Sequence, residues 1–501
     1  MTSPDIQLQS KTIIPPVMGW NTKDALSAMG PEYAVEAENF FSEGSSVDLR
    51  SGSLIYGTGY GASVLLAAFE YIDSSGTHYF LAFNDKVWNT SASGAATDIT
   101  GAGTVDGAGE VYCVNFKGRV YMKGYNAGSD SYYWAGSGNI TAAAFTGPSG
   151  DDKALWRITI YKNRIYFLGF DASTWYADVN ALTGALTQFD FASQLRLGGT
   201  LWFHGSLSQS NNNNEERFVV ISEAGEVLIY SGDYPGSAAT WGLVGRYYIA
   251  PPVGRRSFFY WGTDIIVITR TGLISLSDVI AAGARSDFSA LSDTISTAFK
   301  SALQITNALD RYRVCGIYYP NGPYLLINGV DPTSGNAIQL IMNTLTRSWW
   351  KFTGLKAYTW AIYNNNLYFS SDSGPMVKAD TGNYDEDPAN AGVKLARTIK
   401  LRPAYNYFGD TESFKQFTFC IPTVYQDNQL SITIDANVDY ENVVATSANT
   451  DTKGTAYQIY QPRCGLRGIG KAASIRIDGT VTDKRSSLQA IEVFWCPADP
   501  A

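Results

Sequence analysis

The stretch of residues 217–279 decides the fold of this chain. It reads Arg217-Phe-Val-Val-Ile-Ser-Glu-Ala-Gly-Glu-Val-Leu-Ile-Tyr-Ser-Gly-Asp, then Ala238-Ala-Thr-Trp-Gly-Leu-Val-Gly-Arg-Tyr-Tyr-Ile, then Gly254-Arg-Arg-Ser-Phe-Phe-Tyr-Trp-Gly-Thr-Asp-Ile-Ile-Val-Ile-Thr. Apolar side chains recur at a spacing of two around a glycine-containing turn, which is typical of an antiparallel hairpin with one buried face. A second pair of apolar runs flanks Gly262-Thr-Asp, and a return strand through Trp241 lies between the two pairs. The stretch therefore predicts successive blades of β-sheet.

The same unit, two aromatic-rich strands around a short polar turn, recurs along the chain. Its turns fall near residues 84, 117, 162, 224, 263, 321 and 365. The average spacing of about 47 residues is typical of propeller blades, which close into a ring and so protect their sheet edges. The sequence predicts an all-β fold with a β-propeller of about seven blades. Six blades remain possible because the spacing is uneven, and a strand within residues 47–56 is expected to close the ring.

One stretch interrupts the β pattern. Ser289 is a suitable N-cap, and the apolar residues that follow it fall at helical spacing. We expect one inserted helix over about residues 287–308. Its apolar stripe can pack on the propeller or against a neighbouring subunit, and Leu291, Ile295 and Phe299 are the candidate inter-subunit contacts.

Three regions follow from these patterns. Residues 1–58 are predicted to form an N-terminal segment, in which Pro31 starts a short turn of helix, followed by the closing strand. Residues 59–382 form the propeller. Residues 383–501 begin with the acidic linker Asp385-Glu-Asp-Pro and then contain further alternating strands. They predict an antiparallel, sandwich-like platform domain packed with the N-terminal segment.

Composition excludes several classes of protein. The net charge is −9, with no basic stripe, which argues against a protein that grips nucleic acid through its phosphates. No run of 18 apolar residues predicts a membrane span, and residues 1–10 lack the features of a signal peptide. The five cysteines are scattered without a Cys-x-x-Cys pair, which indicates free thiols made in a reducing cytoplasm. No cofactor and no metal site are expected.

The sequence offers little catalytic chemistry. The two histidines, His78 and His204, lie beside aromatic strands, and no Gly-x-Ser-x-Gly elbow is present. A propeller glycan hydrolase would need carboxylates, a tyrosine and arginines in a central cleft, but the Ser-x-Asp-x-Gly-x-Thr-Trp boxes of sialidase-like blades are absent. The arginines that could serve such a cleft are Arg119, Arg164, Arg217, Arg255 and Arg256. We expect no catalytic residues and no enzyme, although a hydrolase remains an alternative.

Several motifs resemble one known family. They are Trp20-Asn-Thr-Lys-Asp-Ala-Leu-Ser-Ala-Met-Gly-Pro-Glu-Tyr-Ala, Glu38-Asn-Phe-Phe, Val47-Asp-Leu-Arg-Ser-Gly, Gly225-Glu-Val-Leu-Ile-Tyr-Ser-Gly-Asp, Ala239-Thr-Trp-Gly-Leu-Val-Gly, Gly254-Arg-Arg-Ser-Phe-Phe and Phe414-Lys-Gln-Phe. In these the chain resembles the tail nozzle (tail tubular protein B-like) proteins of short-tailed bacteriophages. The similarity touches the beginning, middle and end of the chain.

The resemblance implies a structural virion protein. Six copies would form a ring below the portal adaptor, surround a channel through which DNA passes, and help to hold tail fibres or tailspikes. Such a protein would be assembled in the host bacterial cytoplasm and reside in the virion tail. The candidate charges for the channel lumen are Glu215, Glu216, Asp264 and Asp278. A carbohydrate-binding propeller used for adhesion is the alternative from another class.

Overall fold

The protein is nearly all β, with 51% strand and 4% helix. The computed structural model describes residues 7–61, 63–105, 110–208, 216–283, 289–304, 314–426, 431–441, 449–450 and 458–498. Two bodies share one core: a ring of sheets, numbered 1 to 7 in chain order, and a platform domain built from both ends of the chain. The predicted all-β class is confirmed.

The sheets of the ring follow one another along the chain, and each is antiparallel from strand to strand. Their strands are, in sheet 1, Ala67–Ile72, His78–Phe83, Val87–Asn89 and Thr97–Asp98; in sheet 2, Val111–Phe116, Arg119–Gly124, Tyr132–Trp134 and Thr141–Ala142; in sheet 3, Leu155–Tyr161, Arg164–Gly169, Ser173–Tyr176 and Thr187–Asp190; in sheet 4, Leu201–Ser208, Glu216–Ser222, Glu226–Ser231 and Gly242–Tyr248; in sheet 5, Phe258–Trp261, Asp264–Ile268 and Leu273–Ser275; in sheet 6, Gly316–Tyr319, Tyr324–Val330, Ala337–Asn343 and Trp349–Thr353; and in sheet 7, Ala357–Tyr363, Asn366–Ser371, Met376–Lys378 and Leu54–Thr58.

The ring is a β-propeller. The first strand of each sheet contacts the next sheet in order, and the first strand of sheet 7 contacts that of sheet 1. Among the described residues, six sheets supply four strands each, and sheet 5 supplies three. The protein is thus a six-blade propeller when complete blades are counted, and the shorter sheet 5 makes a seventh unit. Both numbers lie within the expectation.

A strand of the N-terminal segment closes the ring, as predicted, but it begins and ends later in the chain than residues 47–56. Leu54–Thr58, from the N-terminal segment, pairs antiparallel with Met376–Lys378 and completes sheet 7. Gly94–Ala95 then pairs parallel with Leu54–Thr58 on its outer side. Joining the two ends of the ring within one sheet protects edges that would otherwise be open.

The platform is a two-layer β structure. One layer contains Gln9–Ile13, Phe40–Phe41, Val47–Leu49, Phe414–Gln426, Gln458–Tyr460, Cys464–Gly465, Ile469–Gly470 and Ser486–Ala498; the other contains Ala34–Glu38, Arg397–Pro403, Ser431–Val438, Asn449–Thr450 and Ala473–Val481. Burial alternates along Arg397–Pro403, as expected for a strand with one face in a core. In contrast, every residue of Tyr324–Val330 in the propeller is buried, because blades pack on both faces.

Outside these sheets, two short pairs complete the strands: Phe145–Thr146 with Gly184–Ala185, and Asp385–Glu386 with Lys394–Leu395. The N-terminal strand Ala34–Glu38 was expected as a turn of helix after Pro31, and that expectation is wrong. It pairs antiparallel with Arg397–Pro403 and, through Glu38 and Lys351, parallel with the outer strand of sheet 6. One nine-stranded sheet therefore runs from the propeller into the platform.

Residues 289–304, the described part of the helix predicted over 287–308, do not form one continuous α-helix, and residues 287–288 and 305–308 of that prediction lie outside the described residues. The described residues instead hold two short α-helices, Leu276–Ala282 and Ser296–Ala302, and 3₁₀ turns at Pro148–Gly150 and Asp293–Ile295. Ser289 does not cap a helix. Ser275 caps the first one by accepting a hydrogen bond from the Asp278 backbone N–H. The apolar spacing was interpreted as one long helix because the 3₁₀ turn Asp293–Ile295 leads directly into the short helix Ser296–Ala302.

Candidate functional site

The first strands of sheets 3, 4 and 7 carry a β-bulge near the same end of the propeller. The bulged residues are Arg157, Trp202 and Tyr358. A bulge changes the direction of a side chain, and bulges are frequent next to functional sites. Arg157 has a positive φ of 33°, a backbone conformation that costs energy for a residue other than glycine. The bulge at Arg157 thus marks a candidate site at the propeller axis, which we call the axial mouth.

Arg157 lies among aromatic rings of neighbouring sheets. Its guanidinium carbon lies 4.7 Å from the ring centroid of Tyr112, 4.6 Å from that of Phe203 and 5.6 Å from that of Phe258. These rings belong to sheets 2, 4 and 5, so a side chain from sheet 3 touches three other sheets. The residue is only 9% exposed. Aromatic faces attract a cation, and here they surround one.

A second arginine reaches the same place from the loop 251–257, which leads into sheet 5. The guanidinium of Arg255 binds Glu110 of sheet 2, with Nη2 2.8 Å and Nε 2.9 Å from Oε1, and it lies 3.8 Å from the ring centroid of Tyr125. The Tyr112 hydroxyl donates to the other oxygen of Glu110 at 2.7 Å. Burial, with Glu110 beside it, holds the pKa of Tyr112 well above its usual range. Glu110 is therefore occupied by two partners.

Two further residues complete the axial mouth. Arg157 Nη1 donates to the backbone carbonyl of Arg255 at 3.2 Å. The guanidinium of Arg256 lies 5.6 Å from the ring centroid of Tyr358, the bulged residue of sheet 7. Tyr358 also lines a polar cleft of about 440 Å³, together with Glu38, Asp331, Lys356 and Asp372 among others. The mouth thus gathers three arginines, of which one is paired with Glu110.

His204 supports the bulge from behind. It is 1% exposed, and its Nε2 lies 3.1 Å from the carbonyl oxygen of Arg157. Because a carbonyl can only accept, Nε2 is the donor. Burial, and then the charge of Arg157, hold the pKa of His204 well below its usual range, so the ring stays neutral. His204 is the structural histidine expected from the sequence, and its hydrogen bond fixes the backbone of Arg157.

The structure separates the five arginines singled out in the sequence. Arg255 and Arg256 lie at the axial mouth. Arg119 stacks on Tyr133 at 4.3 Å and Arg164 lies 3.6 Å from Asp178, both on second strands, while Arg217 lies on the second strand of sheet 4. Arg157 was missed. Its strand has one residue more than its partner strand between paired positions, and this mismatch arises from pairing in the folded structure, so the sequence alone gave no signal for it.

The described residues that were predicted to face the channel lumen lie away from the axial mouth of the single propeller, and their place in a ring of subunits stays a prediction. Glu216 begins the second strand of sheet 4, with Oε2 3.7 Å from Lys162 Nζ. Asp264 accepts hydrogen bonds from Ser275 and Ser277 at the start of the helix Leu276–Ala282. Asp278 is exposed in the first turn of that helix. Glu215 lies outside the described residues.

Two of the three candidate inter-subunit contacts prove to be internal. Ile295 and Phe299 are fully buried in the core between sheets 5 and 6, and Leu291 packs against that core. Phe299 contacts Trp349, whose indole N–H donates to the Leu291 carbonyl at 3.0 Å. The subunit contact predicted for Ile295 and Phe299 is therefore wrong, because both pack inside the chain's own propeller, whereas the contact predicted for the partly buried Leu291 stays a prediction.

The described residues contain neither a cluster of metal ligands nor a membrane-spanning helix. Among them, no group of three or more histidine, cysteine or acidic side chains is arranged to hold a metal ion. None of the helices within the described ranges is long and apolar enough to cross a membrane.

These features define the chain as a β-propeller protein with an attached platform and an arginine-lined axial mouth. No protein-family model matches it, and no curated protein does. Solved structures with a similar fold include Sqt1 of Saccharomyces cerevisiae, at 13% identity and a TM-score of 0.39, covering 71% of this chain and 97% of that one. An exo-beta-1,3-galactanase of Phanerochaete chrysosporium, solved with galactose, aligns at 10% identity and a TM-score of 0.30, covering 78% and 99%. These similarities concern the fold alone, and the propeller assignment rests on the order of the sheets.

Proposed function

We propose that this chain is a structural virion protein that forms the tail nozzle of a short-tailed bacteriophage. The proposal rests on the positions of the N-terminal motifs that resemble this family, because all three lie where the propeller meets the platform. Trp20 donates its backbone N–H to the Trp349 carbonyl at 2.7 Å, and Asn39 donates its own to the Lys351 carbonyl at 2.8 Å. Arg50, in the third N-terminal motif, binds Asp385 at 2.5 Å. Residues of all three N-terminal motifs thus join the propeller to the platform.

This joint suits a conduit wall. One sheet continues from sheet 6 through Ala34–Glu38 into the platform, and one apolar core includes Trp350 of the propeller and Val493 of the platform. Backbone hydrogen bonds and a shared apolar core therefore join the propeller directly to the platform. A ring of such units would resist deformation while DNA passes through it, which supports a structural role.

The chemistry of the axial mouth supports a structural or binding role over catalysis. Glu110, the carboxylate of the axial mouth, is held by Arg255 and Tyr112. A general acid or base needs a carboxyl group that can approach a substrate. Glu110 is 3% exposed and already engaged, so it is poorly placed for proton transfer.

The remaining parts of the proposal follow the family resemblance. Six copies would form a ring that binds the portal adaptor and helps to hold tail fibres or tailspikes. Assembly would take place in the host bacterial cytoplasm, and the protein would remain in the virion tail. Exposed carboxylates such as Asp278 would keep the lumen from binding DNA phosphates.

Immunogold electron microscopy tests the proposal. Particles of the phage that encodes this chain are labelled with antibody raised against the purified protein, and the same antibody absorbed with that protein is the control. Label at the distal end of a short tail, lost after absorption, is the expected result. Label confined to fibres, or absent from particles that contain the chain by mass spectrometry, would refute a nozzle.

Binding of host carbohydrate during adhesion is a second candidate function. The arginine and aromatic lining of the axial mouth favours it, because sugars stack on aromatic rings and acidic sugars bind arginine. A glycan array probed with the intact protein distinguishes the two functions. Saturable retention on host glycans would favour adhesion, whereas a nozzle requires none.

A further inference from the structure

We propose that the axial mouth is a binding site for a small oxyanion, the carboxylate or phosphate group of a ligand, and that Arg157 is its principal contact. The site lies between sheets 2, 3, 4 and 5, at the end of the propeller where the first strands begin. The inference does not depend on the tail assignment, and it specifies the ligand chemistry that the adhesive alternative would use.

The unused hydrogen-bond donors of Arg157 are the main argument. A guanidinium has five N–H donors, and Arg157 makes one hydrogen bond, from Nη1 to the Arg255 carbonyl. It forms no salt bridge with any described residue. Its Nε and Nη2 make no hydrogen bond to a described residue. A residue that is only 9% exposed therefore keeps hydrogen-bond donors that no described residue satisfies.

The surrounding charges favour an anion. Arg157, Arg255 and Arg256 lie at the mouth, where Glu110 forms an ion pair with Arg255. The charges of these four side chains sum to a positive value although the whole chain carries −9. A buried cation without a counter-charge is costly, and an oxyanion would supply that charge. The planar guanidinium matches carboxylate and phosphate oxygens in pairs.

The backbone adds an independent argument. Arg157 keeps a positive φ within a bulge whose carbonyl is held by His204. Strained backbone of this kind persists where the surrounding structure fixes it, and such residues cluster at ligand sites. A regular strand would direct the side chain at this position differently, so the bulge serves to place Arg157 on the axis.

Calorimetric titration of the intact protein tests the site. The probes are sodium glucuronate and sodium phosphate at constant ionic strength, with glucose as the uncharged control. We expect saturable binding of at least one anion and none of glucose. Arg157→Met should weaken that binding by about 10- to 100-fold, the size expected for loss of a paired, charge-assisted contact. Arg119→Met, which removes another ring-stacked arginine away from the axis, should leave it unchanged.

A second variant guards against misfolding of the first. Glu110→Gln removes the competing negative charge and should tighten anion binding several-fold. Binding of glucuronate alone assigns the site to carboxylates, and binding of phosphate alone assigns it to phosphate groups. The proposal is overturned if neither anion binds, if glucose binds equally well, or if Arg157→Met with an unchanged near-ultraviolet circular dichroism spectrum binds as wild type does.

Discussion

Two buried arginines show how differently the same side chain is used in this molecule. Arg50, at the joint, donates from Nε to Asn39, from Nη1 to Ser51 and Asp385, and from Nη2 to Thr353 and Asp385. Every nitrogen of its guanidinium is engaged. Arg157, at the axial mouth, has one hydrogen bond and three aromatic neighbours. Both are buried, but of the two only Arg50 is paired with a carboxylate among the described residues.

This difference separates a structural arginine from one available to a ligand. The Arg50–Asp385 pair holds together the N-terminal segment, the outer strand of sheet 6 and the start of the platform. Removing one partner would leave the other charge buried and unpaired. Removal of Arg157 leaves no such orphan among the described residues, since none of their carboxylates forms an ion pair with it. We therefore expect loss of Arg50 to lower mainly the stability of the protein, and loss of Arg157 to weaken mainly the binding of a ligand.

The largest expected effect is at the joint. Arg50→Met should lower the free energy of unfolding by about 3–5 kcal/mol, because Asp385 would keep its burial and lose its ion-pair partner. Urea unfolding followed by tryptophan fluorescence measures the change.

The control for that experiment is the double variant Arg50→Met with Asp385→Asn. It removes the orphaned charge and should recover part of the lost stability. If Arg50→Met instead unfolds at the wild-type urea concentration, the pair does not hold the joint together.

A smaller effect is expected from pH, through His204. Its folded-state pKa is depressed, so its contribution to stability is complete above the unfolded value of about 6.5 and is lost as the pH falls toward the folded value. In that window the unfolded chain gains a proton that the folded chain does not. The free energy of unfolding should fall by up to about 1.4 kcal/mol per pH unit from this group.

Comparison of variants isolates that contribution. His204→Gln keeps a donor toward the Arg157 carbonyl and should show a shallower loss of stability between pH 6.5 and 5 than the wild type. His78→Gln, at an exposed position in sheet 1, is the matched control and retains the pH dependence because it retains His204. If the free energy of unfolding depends on pH equally in the His204→Gln variant and the wild type, His204 is not the group that causes the loss of stability.

Local pattern was sufficient to predict the repeated hairpins. All seven predicted turns separate paired antiparallel strands, because a spacing of two around a turn residue is a short-range signal. The turns near 84 and 224 join second and third strands, whereas the other five join first and second strands. This difference explains the uneven spacing that left the number of blades open.

Long-range pairing could not be predicted from the same signals. Ala34–Glu38 was expected to be helical after Pro31, and its partners Lys351 and Arg402 lie more than 300 positions away. Likewise, the sequence around Arg157 resembles any other aromatic strand. Only its register against Arg164–Gly169 creates the bulge, and only closure of the ring brings it to Arg255. The joint and the axial mouth are both products of tertiary pairing.

The smallest effect on stability is expected at Arg157, and it tests the comparison most directly. Without added anion, Arg157→Met should change the free energy of unfolding by less than about 1 kcal/mol, since loss of the aromatic contacts is offset by relief of a buried, uncompensated charge. A saturating oxyanion at 100 times its dissociation constant should stabilise the wild type by about 2.7 kcal/mol and leave the variant unchanged. If Arg157→Met instead lowers the free energy of unfolding as much as Arg50→Met does in anion-free buffer, Arg157 is a structural arginine like Arg50. The axial mouth would then not be a ligand site.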